Sequence, residues 1–426
     1  MNDGDIRILG CNRIRRFFIW LTLFLLIGLL AAPKEVHALD PYGWPTFEEV
    51  QIKAYIVIDA ETGETILSKD AASRLPVAST TKLMTALLLL EDPSFDPERM
   101  LVVSKESMRL PSSGAVSMPL IAGEHIRTVD CLAAMLIRSA NDMANVIAEN
   151  YGGAFGAIDP DNLNNPLESR RRFMERMNKR LSELGAHDTH FMNPAGFDEE
   201  NHYSTASDLT IIMREILKYP LFNRISNLQL YMMPPTDAHS SVMWAPINTT
   251  NGLIYYGAQG LSSRYFKEYT GGKTGSTLGA GYCLVASGTT HDDRVLIAVA
   301  LGLKPVDVDT IFGRALPVRA LMEEAASRIG APEIDPLTTR LAEPLPKETE
   351  PTATIPEETE TLAKTDVSKN EKIWILKPPQ EGQSPFSGWG AVQKVVIVLG
   401  SLLIVMLAFL SGWFFSYRYE RKNRRD

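Results

Sequence analysis

The strongest constraint on this chain is a separation. Its most strand-like stretches stand at the two ends of the central segment, with helical signals between them. Ala54 to Asp59 and Thr65 to Leu67 flank Glu61 to Glu64 and read as a hairpin with Gly63 in its turn. Far downstream, Tyr282 to Ala286 and Val295 to Leu301 are apolar strand runs joined through Gly288 to Asp293. Four helices are expected between them. Ser79 to Leu90 follows Pro76, and Thr128 to Ile137 carries Thr128 as its N-cap. Glu168 to Leu184 is amphipathic with Gly185 at its C-cap, and Ser207 to Leu217 ends before Pro220. Strands need neighbours, so the first and last sets must pair. The expectation is an α+β fold with one sheet drawn from distant segments and a helical insertion. Val308 to Arg328 supplies a last helix to cover that sheet.

The two ends of the chain concern membranes. Arg13, Arg15 and Arg16 precede an uncharged run from Phe17 to Pro33, and Val36-His37-Ala38 offers small residues before a cleavage point. This predicts a signal peptide over 1–38, with an uncleaved anchor as the alternative. Val395 to Tyr417 is uncharged and long enough to cross ~30 Å of hydrocarbon. Arg418, Arg421, Lys422, Arg424 and Arg425 follow it, and such clusters stay cytoplasmic. A membrane helix over 394–417 and a basic cytoplasmic tail over 418–426 are therefore expected. They imply a single-pass protein of the cell membrane with its central part outside. Glu343 to Glu371 is rich in Pro, Thr and Glu, and marks 333–393 as a disordered acidic stalk.

The globular segment is then 39–332. With 43 basic residues against 51 acidic, the net charge of −8 argues against a nucleic-acid partner. The chain has 3 cysteines, too few for a disulfide scaffold, and Cys131 and Cys283 read as buried free thiols.

Three motifs carry chemistry. Ser79-Thr80-Thr81-Lys82 opens a helix, and residues three apart share a helix face, so the Lys82 amine reaches the Ser79 hydroxyl. A serine needs such a base, and lysine serves only when neutral, as desolvation or a second cation can arrange. Ser139-Ala140-Asn141 ends a predicted helix, and Lys273-Thr274-Gly275-Ser276 leads into the Tyr282 strand after Gly271-Gly272. A lysine–threonine pair at a strand edge suits a carboxylate. The three motifs stand in the order expected of serine acyl-transfer enzymes of the penicillin-recognising kind.

With Arg74 to Ser79, Thr189 to Gly196, His202 to Asp208 and Gly281 to Ala286, the segment from Tyr55 to Leu303 resembles the serine-type D-Ala-D-Ala carboxypeptidases, the low-molecular-weight penicillin-binding proteins of peptidase family S11. The resemblance implies a β-lactamase/transpeptidase-like fold, an antiparallel sheet of about five strands flanked by helices. It implies Ser79 as acyl-ester nucleophile, Lys82 as general base, Ser139 as proton carrier to the leaving amine, and Asn141 as holder of Lys82 and the peptide. It also implies Lys273 and Thr274 as carboxylate binders, with Gly275 and Ser276 beside them. The backbone N–H groups of Ser79 and Ser276 would form the oxyanion hole. Peptidoglycan stem peptides would be substrates, β-lactams would be inhibitors, and neither cofactor nor metal is implied. Many relatives carry a β-rich second domain and a membrane-surface helix where this chain has a stalk and a spanning run.

Each motif has a plainer reading, a cap, a solvated face or loop polars, and only their joint occurrence outweighs it. Asp142 is left outside the site as a cap of the next helix. His187 and His190 have metal-like spacing without further ligands, so a structural role is expected for His190. Asn248-Thr249-Thr250 is a glycosylation sequon by pattern only. A β-lactamase is the nearest rival, but the Glu-x-x-Leu-Asn element of class A enzymes is not found, and Asp161 to Asn165 is the closest stretch. A non-catalytic muropeptide or β-lactam sensor is the second rival.

Overall fold

The computed structural model describes residues 45–111, 115–153, 165–239, 244–257, 263–305 and 311–334. The expected signal peptide, anchor and tail lie outside them, as does the stalk from residue 335 onward. Among the described residues no helix is long and apolar enough to cross a membrane.

In chain order the elements are β1 (Ala54–Asp59), β2 (Thr65–Lys69), α1 (Lys82–Leu90), β3 (Met100–Val102), β4 (His125–Arg127), α2 (Thr128–Ala133) and α3 (Asn141–Asn150). Then come α4 (Pro166–Leu184), α5 (Ala206–Ile216), α6 (Pro220–Ser226), β5 (Leu230–Tyr231), β6 (Ile247–Asn248) and α7 (Gly252–Gly257). The chain closes with β7 (Phe266–Thr277), β8 (Gly281–Thr290), β9 (Val295–Leu303) and α8 (Ile311–Arg328).

The distant strands do pair. The main sheet has five strands in the order β2-β1-β9-β8-β7, antiparallel throughout, with Val57 opposite Ala298 where the two ends meet. Both faces of the sheet are covered. Ile56, Ile58, Val285, Ile297 and Val299 pack against the helical insertion, while Val57, Leu284, Leu296, Ala298 and Ala300 pack against Val318, Leu321 and Met322 of α8. Burial on both sides is why these strands read as apolar runs rather than as alternating patterns. At the centre of the insertion, every residue of α1 is buried. A helix surrounded on all sides has no polar stripe to keep.

Several local expectations need correction. Thr128 is the first helical residue of α2 and not its cap, because extended Arg127 delivers the chain from β4 and the Thr128 hydroxyl donates to Arg99 O at 3.1 Å. Pro220 does more than end a helix: it opens α6, a position where its missing N–H is harmless. The Lys273 motif does not run into the Tyr282 strand. It occupies a strand of its own, β7, paired with β8 at the edge of the sheet. The polar, glycine-rich sequence of β7 hid it, and its ladder is broken by irregularities at Phe266/Glu268 and Thr270/Gly272.

Candidate active site

Ser79 sits in a tight 3-10 turn, Ala78–Thr81, that leads into α1. In such a turn residues three apart eclipse each other, which is the local reason that Lys82 meets Ser79. The Lys82 Nζ lies 2.7 Å from Ser79 Oγ, 2.8 Å from Asn141 Oδ1 and 2.6 Å from the Ala195 carbonyl oxygen. As an ammonium it donates to all three. Asn141 Oδ1 and Ala195 O can only accept, however. A neutral amine therefore spends its two N–H bonds on them and turns its lone pair toward the Ser79 hydroxyl. Burial, and then the charge of Lys273, push Lys82 well below the usual lysine range. Geometry and electrostatics thus both favour a base aimed at a nucleophile.

The second motif hangs on a distorted helix end. After α2 the backbone widens into a π turn, Ala134–Arg138, and Ser139 takes the left-handed conformation at φ +68°. That change of direction starts α3 at Asn141. The Asn141 Nδ2 donates to Val116 O at 2.9 Å, which leaves Oδ1 for Lys82. Ala140, not Asp142, holds the cap position of α3, but the Asp142 carboxylate accepts from Met143 N in its first turn at 2.9 Å; its other oxygen accepts from Met118 N at 2.7 Å, and burial pushes it up to about 6. Together Asn141 and Asp142 fasten the Val116–Met118 segment over the site. Ser139 Oγ has no hydrogen-bond partner among the described residues, and Ser139 lines the same cleft as Ser79.

The third motif brings the sheet edge up to the serine. A Cβ at Gly275 would lie 2.9 Å from Val77 O and 3.0 Å from Ser79 N, so only glycine lets β7 pass this close to the Ser79 backbone. Thr274, Gly275 and Ser276 line a cleft of about 490 Å³ with Ser79, Ser139 and Asn141. Lys273 is not among the lining residues. It is 1% exposed, its Nζ donates to Thr274 O at 2.9 Å, and burial pushes it down to about 7.

A family model described as D-alanyl-D-alanine carboxypeptidase, peptidase S11, matches residues 42–304. The chain belongs to this family. Its S11 segment is 32% identical over 253 residues to the D-alanyl-D-alanine carboxypeptidase DacF of Bacillus subtilis (strain 168), covering 59% of this chain and 57% of that protein. The chain thus spans a little over half the length of that relative. It is 26% identical over 278 residues to a D-alanyl-D-alanine endopeptidase of Escherichia coli (strain K12), covering 65% of this chain and 80% of that one. The crystal structure of the Streptomyces K15 DD-transpeptidase superposes with a TM-score of 0.55 at 26% identity, over 65% of this chain and 98% of the other. The transpeptidase-like fold expected of the S11 motifs is the fold observed.

Within this S11 site, sequence reasoning missed several cleft residues. Thr250, read only as part of a sequon, places its hydroxyl 2.6 Å from that of Thr274 and also bonds Ile137 O. Arg314 lines the cleft from α8, with its guanidinium 4.1 Å from the centre of the Tyr282 ring. Arg138, Phe197 and Asp198 line it as well. The first could be suspected from its place beside Ser139; Arg314 carries no local signal at all. Cys283 also lines the cleft, beyond what the sequence suggested, but burial pushes its thiol up to about 12 and makes it a poor nucleophile. Cys131 and Cys283 are both buried and free. His190 sits in a bridge to Tyr203, with Nδ1 2.9 Å from Asn201 O, and among the described residues no cluster of His, Cys, Asp or Glu could hold a metal.

Proposed function

We propose that the protein is a serine-type D-alanyl-D-alanine carboxypeptidase that trims peptidoglycan stem peptides. The observation that carries this reading is the Lys82 amine, buried between two pure acceptors and 2.7 Å from Ser79 Oγ. Neutral Lys82 takes the Ser79 proton as Oγ attacks the carbonyl of the penultimate D-Ala. The oxyanion is met by the N–H groups of Ser79 and Ser276, each donor of this kind being worth about 2.7–4 kcal/mol in a serine protease. Ser139 relays the proton to the leaving amine, the C–N bond breaks, and D-Ala departs. Water then enters, Lys82 again takes a proton, and the ester opens to free Ser79. Penicillin acylates the same serine.

The substrate's terminal carboxylate is assigned to Thr274, Gly275 and Ser276, joined by Arg314 and the thread of positive potential from Lys273. Because Lys273 is buried, its part is to make the cleft attractive to an anion and to hold Lys82 neutral. Supporting this, the cleft counts Arg138 and Arg314 against Asp198.

The same proposal includes location. A signal peptide at 1–38, the catalytic domain at 39–332, a stalk at 333–393, a membrane helix at 394–417 and a cytoplasmic tail at 418–426 would hold the enzyme to the outer face of the cell membrane. The uncharged run Val395 to Tyr417 and the basic residues after it support this arrangement.

Fluorescent penicillin tests the chemistry. Wild type should become labelled and Ser79→Ala should not; label that persists without Ser79 refutes the mechanism. Release of free D-Ala from a D-Ala-D-Ala peptide is expected. Turnover of penicillin alone would indicate a β-lactamase-like hydrolase, and stable labelling with no peptide turnover would indicate a sensor.

A further inference from the structure

Ala78, immediately before the nucleophile, is a non-glycine residue at φ +49° and 1% exposed. Left-handed backbone of this kind persists only where its surroundings fix it. Two contacts do so here. Gly196 presses on the Ala78 carbonyl so closely that a Cβ on it would lie 2.0 Å from Ala78 O. The Thr81 hydroxyl donates to the same oxygen at 2.9 Å. Thr81 Oγ1 in turn lies 2.9 Å from His202 Nε2, and Met192 N donates to His202 Nδ1 at 3.0 Å.

These contacts fix every proton in the series. A ring nitrogen that accepts carries no hydrogen, so neutral His202 holds its proton on Nε2. That N–H points at Thr81 Oγ1, and the single hydroxyl proton of Thr81 is directed to Ala78 O. The Ala78 carbonyl and the Ser79 N–H belong to one planar peptide. Whatever orients the oxygen orients the N–H on its other side.

We propose that His202 is a positioning residue for acylation, holding the Ala78–Ser79 peptide through Thr81 so that the Ser79 N–H faces the developing oxyanion. This rests on Ser79 being the acylated residue. The surroundings keep the ring in the required form. Phe191 stacks on it at 5.1 Å, and Asn193 Nδ2 adds a second donor 3.5 Å from Nδ1. Asp198 favours its protonation while His190 and Lys82 oppose it, and burial outweighs them all and pushes His202 down to about 4. A protonated ring would turn Nδ1 into a donor facing two donors.

The test compares wild type with His202→Phe, Thr81→Val, the double variant and His202→Gln, following penicillin acylation in stopped flow. The acylation rate constant is taken per labelled site, with non-covalent affinity and Tm measured alongside. His202→Phe and Thr81→Val should each slow acylation by ~10–100-fold, less than the ~10²–10³ lost with a whole oxyanion donor. Non-covalent affinity should hardly move. Two members of one chain should not add, so the double variant should match the slower single. His202→Gln, whose amide N–H can reach Thr81, should recover most of the rate. Wild-type acylation per labelled site in His202→Phe, whatever its Tm, overturns the proposal; so do additive losses in the double. Thr81→Val removes only a hydroxyl and carries the test where His202→Phe does not fold. Labelling of Ser79→Ala would instead overturn the function itself, so the two failures are distinguishable.

Discussion

Helix α4 and the cleft treat positive charge in opposite ways. On α4 the cations meet carboxylates: Arg171 reaches Glu168 and Glu175, Arg170 reaches Glu149, and Arg180 reaches Glu91 at 2.7 Å. The Arg171 guanidinium is raised above its usual range by Glu168, whereas burial lowers Arg176 although Asp92 lies 3.4 Å from it. In the cleft region Lys82 and Lys273 are fully buried, and among the described residues neither belongs to an ion pair. Both are lowered. Two buried lysines outside any ion pair cost a fold stability, and for Lys82 only the charge of Asp142 opposes the lowering. What Lys82 gains is an amine that gives up its proton far more readily than a paired lysine does. The difference separates charge that is matched by a carboxylate from charge left outside any ion pair.

The contrast would break first at Lys82. Lys82→Met keeps the volume and removes the base, and general-base loss costs ~10²–10⁴ in rate. Acylation of Ser79 by fluorescent penicillin should fall by that factor while the folded protein, judged by circular dichroism, persists. Acylation near the wild-type rate would mean that some other group activates Ser79. Next in size is Gly275→Ala. The new methyl would meet Val77 O and Ser79 N, two backbone groups that cannot swing aside. The edge of β7 must retreat, and a displacement of about 1 Å can cost ~10²-fold in rate. Wild-type acylation in this variant would show that β7 does not set the geometry of the nucleophile.

Lys273 allows a finer test, through pH. With Lys82 as the base of the proposed mechanism, the acylation rate should fall as pH drops through the Lys82 pKa. The charge of Lys273 helps to lower that pKa. Lys273→Met removes the charge and should shift the acid limb of the normalised profile to higher pH; an unmoved limb denies the coupling. The stability effect has a definite sign as well. Lys273 is lowered to about 7 in the fold, against ~10.4 in an unfolded chain. Between these values the unfolded state binds more protons, so stability rises with pH. The cost of burying the charge is complete below about 7 and absent above ~10.4. The stability of Lys273→Met relative to wild type should therefore be greatest near neutrality and shrink toward pH 10, as urea unfolding at a series of pH values would measure.

Legibility in the sequence followed the same physics. The β1, β8 and β9 runs were readable because burial on both faces leaves only apolar side chains. The chain's α+β order and the closing of the sheet from distant segments followed from them. β7 was not readable, since an edge strand beside a cleft carries Lys, Thr and Gly for reasons of chemistry. Ser79, Lys82, Ser139, Asn141 and the Thr274–Ser276 stretch could be named from their short motifs and the resemblance those motifs carry. Thr250 and Arg314 could not, because they reach the cleft through tertiary folding. His202 stood in view within His202–Asp208, but its partner Thr81 lies 121 positions away, and the link exists only in three dimensions.

The smallest predicted effect lies on α4. Arg171, Glu168 and Glu175 are all substantially solvated, and exposed pairs of this sort contribute little because water already screens them and holding long side chains costs entropy. Arg171→Ala should leave penicillin acylation at the wild-type rate and move Tm by no more than the scatter of repeated scans. Any shift that appears should be larger in low salt than at ~0.15 M, where the screening length is ~8 Å. A fall in acylation would show that paired charge reaches the cleft, through the packing of α4 on α3, the helix that begins with Asn141. It would mean that the paired surface charge tunes the lysine it was supposed to have no part in. A pure stability change that vanishes with salt would instead confine Arg171 to the surface, and leave Lys82 and Lys273 as the cations whose burial the chemistry requires.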